Sequence, residues 1–228
     1  MKRLIWSSLG FVLVSACVST DVGNPIDTEI AFKAYEGSPE APQALTLDDG
    51  VTLEKAYLKV KGFTLDRSEA CDDRNASYNG AIVVDLLTGD RSASSSWRDE
   101  AGTFCRLRIE LSADDVLPQP VELQGASLYI KGTFEGESFE MSFVDTPALS
   151  LRGPFTLPVG SHLLQVGFFP RDWFTDVDTS ALTGEVTSSD VLQMVMGNFL
   201  LSGRLYHDTN QDGVLDLIEL SISLAEGE

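Results

Sequence analysis

The sequence predicts a mainly β fold: an antiparallel β-sandwich, immunoglobulin-like or related, with a small helical insertion and a C-terminal calcium loop. Three observations predict it. Short runs alternating apolar and polar residues recur between residues 28 and 169, the period of a half-buried strand. Gly, Asn, Asp and Pro interrupt these runs at short intervals, the rhythm of hairpin-connected layers. One segment only, 191–200, shifts to a helical period.

The elements follow in order. Residues 18–27 (VSTDVGNPID) carry Gly, Pro and Asp without an apolar period and read as a tether. Residues 28–35 and 51–65 alternate. In the second run Leu53, Ala56, Leu58, Val60 and Phe63 are unevenly spaced, which predicts a bent or bulged strand. Residues 44–48 predict a short extra strand, and 81–87 is a continuous apolar run of strand length. In 104–111 the alternation puts Cys105, Leu107, Ile109 and Leu111 on one face.

Residues 126–134 and 137–144 flank Glu135-Gly136, a hairpin signal in which glycine supplies positive φ. Residues 155–159 and 162–169 flank Gly160-Ser161. Pro170 then opens a short helix or turn over 171–176. Ser188-Ser189-Asp190 offers N-cap residues before Val191, Leu192, Val195, Met196, Phe199 and Leu200, which share one helical face up to Gly203. After it, 203–207 reads as extended and 220–224 (LSISL) as strand-like.

The first seventeen residues, MKRLIWSSLGFVLVSAC, have the layout of an export signal. Lys2 and Arg3 precede an apolar run over 4–14 that is too short for a permanent membrane span. Val14-Ser15-Ala16-Cys17 resembles the lipobox of bacterial lipoproteins. That resemblance implies a mature chain beginning at Cys17, acylated there and held at the membrane. Each buried methylene contributes about 0.8 kcal/mol, so two or three chains hold firmly where one holds reversibly. Val18 stands where an aspartate would retain the protein at the inner membrane, which implies the outer membrane, facing periplasm or exterior. The alternative is an ordinary secretory signal cut after Ala16, with Cys17 incidental. The division expected is therefore 1–16 signal, 17–27 acylated tether and 28–228 ectodomain.

The precursor carries a net charge of −19, and loss of residues 1–16 removes two basic residues and no acidic ones, leaving −21. Such a chain has no basic stripe for nucleic acid and would not lie flat on anionic lipid unaided. A solvated acidic surface accounts for the charge; attraction for divalent cations is the sharper reading. With Cys17 acylated, Cys71 and Cys105 remain as a pair in an oxidising compartment, where disulfides persist. Closing that loop would constrain the unfolded chain by about 3.8 kcal/mol in the entropy model.

The one specific chemical motif is 208–219, DTNQDGVLDLIE, which matches the twelve-residue EF-hand calcium loop at each demanded position. Calcium is a hard cation that takes six to eight oxygens at about 2.3–2.6 Å. Asp208, Asn210 and Asp212 offer side-chain oxygens, Gly213 permits the sharp turn, and Val214 offers its carbonyl. Asp216 acts directly or through water, Glu219 closes the shell, and Leu215 points to the core. The flanks do not read as a helix pair, and no second loop exists to partner this one. A structural calcium staple is expected; a regulatory or ligand-bridging calcium and an acidic turn without metal are the alternatives.

Signals for catalysis are weak. Neither a Gly-x-Ser-x-Gly elbow nor a His-Glu-x-x-His pair occurs. The two histidines, His162 and His207, fall on a strand and beside the calcium loop. The densest aromatic stretch, 168–174, includes Arg171, Trp173 and Phe174; it reads as a core cap or, alternatively, as an exposed platform for a protein or glycan partner.

Together the lipobox and tether, VTLEKAYLKVKGFTL leading to Cys71, AIVVDLLTGD, GTFCRLRIEL and the terminal DTNQDGVLDLIE resemble a group of uncharacterised Gram-negative lipoproteins. Those have an all-β ectodomain and a solitary EF-hand-type calcium loop. The resemblance implies fold and location, and no reaction. The expectation is a non-enzymatic outer-envelope lipoprotein, a calcium-stabilised binding or structural module. The alternative is an envelope hydrolase acting on glycan or peptide, which converging carboxylates or a histidine pair would favour.

Overall fold

The computed structural model is mainly β. It describes residues 24–35, 44–47, 50–67, 71, 73–115 and 118–228, with backbone alone for 73–76. The strands are β1 (Pro25–Ala34), β2 (Leu45–Thr46), β3 (Val51–Arg67), β4 (Asp73–Asp85), β5 (Ser96–Glu100), β6 (Gly102–Leu111), β7 (Leu128–Phe134), β8 (Glu137–Phe143), β9 (Ala148–Leu157), β10 (Gly160–Phe168), β11 (Gly184–Glu185), β12 (Arg204–Asp208) and β13 (Ala225–Gly227). Two helices, α1 (Pro170–Trp173) and α2 (Ser189–Ser202), precede and follow β11. The signal, Cys17 and most of the tether lie outside the described residues. β1 begins at Pro25, so the sheet already includes 25–27, which the sequence assigned to the tether.

All these strands join one curled sheet in the order β11-β8-β7-β3-β6-β9-β13-β12-β10-β1-β5, with β2 and β4 also on β3. The sheet is mixed, which corrects the antiparallel expectation: β1 runs parallel to β10, and β11 parallel to β8. Alternation along a strand sets which face is buried, but it carries no information about the direction of a partner far away in sequence.

β3 holds the sheet together. Its long edge passes from β7, paired over Val51 to Leu58, to β6, paired over Val60 to Arg67, while β4 lies along the other edge. Register shifts at Leu53/Lys55 and Val60/Gly62 mark bulges. They account for the uneven spacing in the sequence: Val51, Leu53, Ala56, Leu58, Val60, Phe63 and Leu65 are all buried despite it. At the second bulge a Cβ on Gly62 would collide with the Tyr78 carbonyl of β4, so glycine lets the backbones approach.

The apolar side chains meet in one large cluster drawn from nearly every long strand, with α2 and Trp173 closing it. Trp173 stacks edge-on against Phe199 at 5.2 Å, and Phe199 lies face-on to Phe168 at 4.6 Å. α2 starts at Ser188, whose carbonyl accepts from Leu192 N–H, and ends at extended Gly203. Its buried residues are Val195, Met196, Phe199 and Ser202. The hairpin between β7 and β8 turns on Glu135 and Gly136, both at positive φ, the pattern of a type I′ turn.

Other local expectations change. Gly160 and Ser161 belong to β10 and pair with Ile26 and Asp27, so they do not separate two hairpin strands. β9 instead pairs with β6 and β13. Residues 220–224 contain the end of a 3-10 turn, Glu219–Ser221, and the strand begins only at Ala225.

In β6 a register shift between Phe104 and Arg106 puts Phe104 on the core face and turns Cys105 away from it. Cys105 bonds to Cys71, with Cα atoms 5.8 Å apart. Among the described residues, no helix is long and apolar enough to cross a membrane.

Candidate metal-binding loop and the histidine pair beside it

The loop over 208–219 leaves the end of β12 and folds back over the outer face of the sheet. Asp208 pairs with Leu163 of β10 and therefore shares a face with Gln165 and Tyr206. Leu215 is fully buried against Tyr35 and Tyr206, as the sequence expects of that position. Gln211 and Gly213 both take positive φ, which gives the loop its sharp coil.

A polar network below the loop joins it to the strands. The Tyr35 hydroxyl donates to Gln165 Oε1 at 2.6 Å, and Gln165 Nε2 donates to Asp208 Oδ2 at 3.1 Å. The Leu215 N–H donates in turn to the Tyr35 hydroxyl. Burial pushes the Tyr35 phenol well above its ordinary range, so it remains a donor across physiological pH. Gln165 and Tyr35 escaped the sequence reading; the signal was a lone glutamine inside the apolar run of β10.

Within the loop each acidic side chain caps backbone N–H groups. Asp208 accepts from Gln211 N–H at 2.6 Å and Gly213 N–H at 2.8 Å. Asn210 accepts from Asp212, and Asp212 from Val214. Asp216 accepts from Ile218 and Glu219. Glu219 closes the coil, accepting from the Thr209 N–H and hydroxyl, both at 2.7 Å, and from Asp216 N–H at 3.0 Å. Burial pushes the Glu219 carboxyl up, but these donors outweigh it and hold the group below its ordinary value.

Donor chemistry and turn geometry suit calcium, while side-chain convergence does not. Among the described residues no three His, Cys, Asp or Glu side chains meet as a metal site. Asp208 and Glu219 are nonetheless buried carboxylates, at 0% and 7% exposure, in contact with N–H dipoles. Neither has a lysine or arginine within salt-bridge distance among the described residues. Asn210, Asp212 and Asp216 are exposed, as is the Val214 side chain.

The two histidines meet directly behind this loop. His162 Nδ1 lies 3.2 Å from His207 Nε2, and His162 Nε2 lies 2.6 Å from the Pro158 carbonyl. A carbonyl only accepts, so His162 Nε2 carries a proton. In the neutral ring Nδ1 is then the bare acceptor and His207 Nε2 the donor. Burial holds His207 below its ordinary pKa. The sequence placed one residue on a strand and the other beside the calcium loop but could not bring them together.

Trp173 and Phe174 are buried in the core, Trp173 donating to Ser202 Oγ at 2.9 Å, while Arg171 is exposed. The stretch is therefore a core cap and presents no exposed aromatic platform. The Trp173 ring is committed to α2.

Comparison with protein-family models, curated proteins and solved structures gives no match.

Proposed function

We propose that this chain is an exported lipoprotein, acylated at Cys17, whose sandwich-like β ectodomain is a non-enzymatic binding or structural module of the outer envelope. Calcium in the 208–219 loop stabilises it. The observation that carries this reading is the docking of an acidic, EF-hand-patterned loop onto the sheet through buried Asp208 and Leu215, in a chain that opens with a lipobox. A cation would offset two buried carboxylates that now rely on dipoles alone. Calcium binding requires Asp208 and Glu219 to exchange some backbone donors for metal, which predicts modest affinity, about 10⁻⁴–10⁻³ M as in extracellular loops.

Two experiments test it. Calorimetric titration of the mature protein should show one calcium equivalent at millimolar metal, lost in Asp212→Asn and Glu219→Gln. In a Gram-negative host the protein should label with palmitate and fractionate with outer membrane, and Cys17→Ser should abolish both. A chain that takes up neither calcium nor lipid would end the proposal.

The histidine pair is the observation favouring the second reading, an envelope hydrolase acting on glycan or peptide. Against it, His162 is buried and its Nε2 is bound to the Pro158 carbonyl. Turnover of peptidoglycan fragments or peptides, abolished by His207→Ala, would establish that alternative.

A further inference from the structure

We infer that the groove where β5, β1 and β10 meet the acidic loop binds a neutral sugar ring, an inference that rests on the binding-module reading above and names its ligand. The groove holds about 270 Å³ and is lined on the outer face by Asp27, Glu29, Ser96, Ser161, Leu163 and Gln211. Sites for drug-sized molecules run to roughly 300–1,000 Å³, so this one suits a single ring.

Pairing register dictates the convergence. Asp27 of β1 sits opposite Ser161 of β10, and Glu29 sits opposite Leu163 on one side and Ser96 of β5 on the other. Residues opposite one another share a face, so carboxylates and hydroxyls from three strands alternate over one small area. Gln211 completes the wall from the loop, its Nε2 donating to the Ser161 carbonyl at 3.0 Å.

Charge decides the ligand class. Arg98 donates to Asp27 through Nε at 2.8 Å and Nη2 at 3.2 Å, and Arg91 Nη2 donates to Glu29 Oε1 at 2.7 Å. Each carboxylate is thus offset by a guanidinium, which leaves neither a surplus cation for an anion nor an unpaired carboxylate for a metal ion. Hydrogen-bonding capacity is left over instead. Among the described residues, Glu29 Oε2, the Ser161 hydroxyl and Gln211 Oε1 are not engaged, while Ser96 Oγ lies 3.1 Å from Ser94 Oγ. Two acceptors and a hydroxyl that both gives and receives match a ligand whose own hydroxyls donate and accept. Half-buried Leu163 between them offers an apolar floor for the C–H face of a ring.

The test uses tag-free mature protein with calcium held at millimolar concentration, so that any metal response of the loop stays constant. Glucose, galactose and N-acetylglucosamine are each titrated to high millimolar concentration. At least one should move the amide resonances of Asp27, Glu29, Ser161 and Gln211 and spare those of β7 and β8, towards the other end of the strand order. Glu29→Gln should weaken that sugar about tenfold, the worth of a hydrogen bond to a charged group, and Ser161→Ala should weaken it less. Circular dichroism checks that both surface variants fold. No shift with any sugar, shifts with sodium phosphate or a neutral tripeptide in place of every sugar, or unchanged affinity in folded Glu29→Gln would each overturn the inference. Calcium and palmitate uptake without sugar binding would overturn it and leave the lipoprotein proposal standing. Sugar binding in a chain that takes up neither would uphold it while ending that proposal.

Discussion

Gln165 on β10 and Asp208 on β12 lie buried beneath the loop on one face of the sheet, and the glutamine amide donates to the carboxylate at 3.1 Å while accepting from Tyr35. One neutral side chain thus couples a strand, a tyrosine and the acidic loop. Gln165→Leu removes both bonds and leaves the Tyr35 hydroxyl without an acceptor, while Asp208 keeps its Gln211 and Gly213 donors, so the loss should be about 1–3 kcal/mol. Urea unfolding should show the lower midpoint, and amide exchange at Gly213 and Leu215 should accelerate more than exchange in β3.

Leu215 anchors the loop by packing. Truncation to alanine opens a cavity against Tyr35 and Tyr206, and such changes cost about 2–5 kcal/mol. Calorimetric unfolding measures the loss. Calcium affinity should fall in the same variant, because the free loop must then be ordered by the metal alone.

Acid should destabilise the loop through Glu219. Its folded carboxyl is held below the ordinary value of 4.5, so the folded state binds the proton less readily than the unfolded chain does. The stabilisation is complete above the unfolded value and is lost as pH falls through the folded one. Urea midpoints recorded from neutral to roughly pH 3 should therefore drop, and they should drop less in Glu219→Gln, which has no carboxylate to titrate.

The Cys71–Cys105 bridge closes a 34-residue separation. The double change Cys71→Ala with Cys105→Ala should lower stability by up to about 3.8 kcal/mol. Reductant added to the unaltered protein should lower the thermal midpoint in the same direction, and should have no effect on the double variant.

Phe199 joins α2 to the sheet, touching both Phe168 and Trp173. Phe199→Ala should cost about 3–5 kcal/mol. Trp173→Phe, which loses the bond to Ser202 and part of a fully buried ring, should cost at least about 1 kcal/mol. Tryptophan fluorescence during denaturation would separate the two.

The sequence was most legible where physical cause is local. Alternation located most of the strands, the bulges in β3 showed in the spacing of its apolar residues, and Ser188 and Gly203 bracketed α2 where expected. Leu215 was read correctly because its place in the loop pattern dictates burial. Illegible features were those decided between distant segments. The β1–β10 pairing is parallel, Cys105 faces outward at the extra residue β6 carries against β3, and Trp173 is enclosed by a helix that lies beyond it in sequence. The contact between His162 and His207 is of this kind as well: two strands had to pair in one particular register before those rings could meet.

The parallel pairing of β1 with β10 has a mechanical consequence. β1 is hydrogen-bonded along nine residues to β10 on one side and along five to β5 on the other. Tension entering from the chain ahead of Pro25 and directed along the strand loads these bonds in shear, many at once, where a peeling strand would lose them one after another. The entry point of the domain is thus the place where it is best built to be pulled.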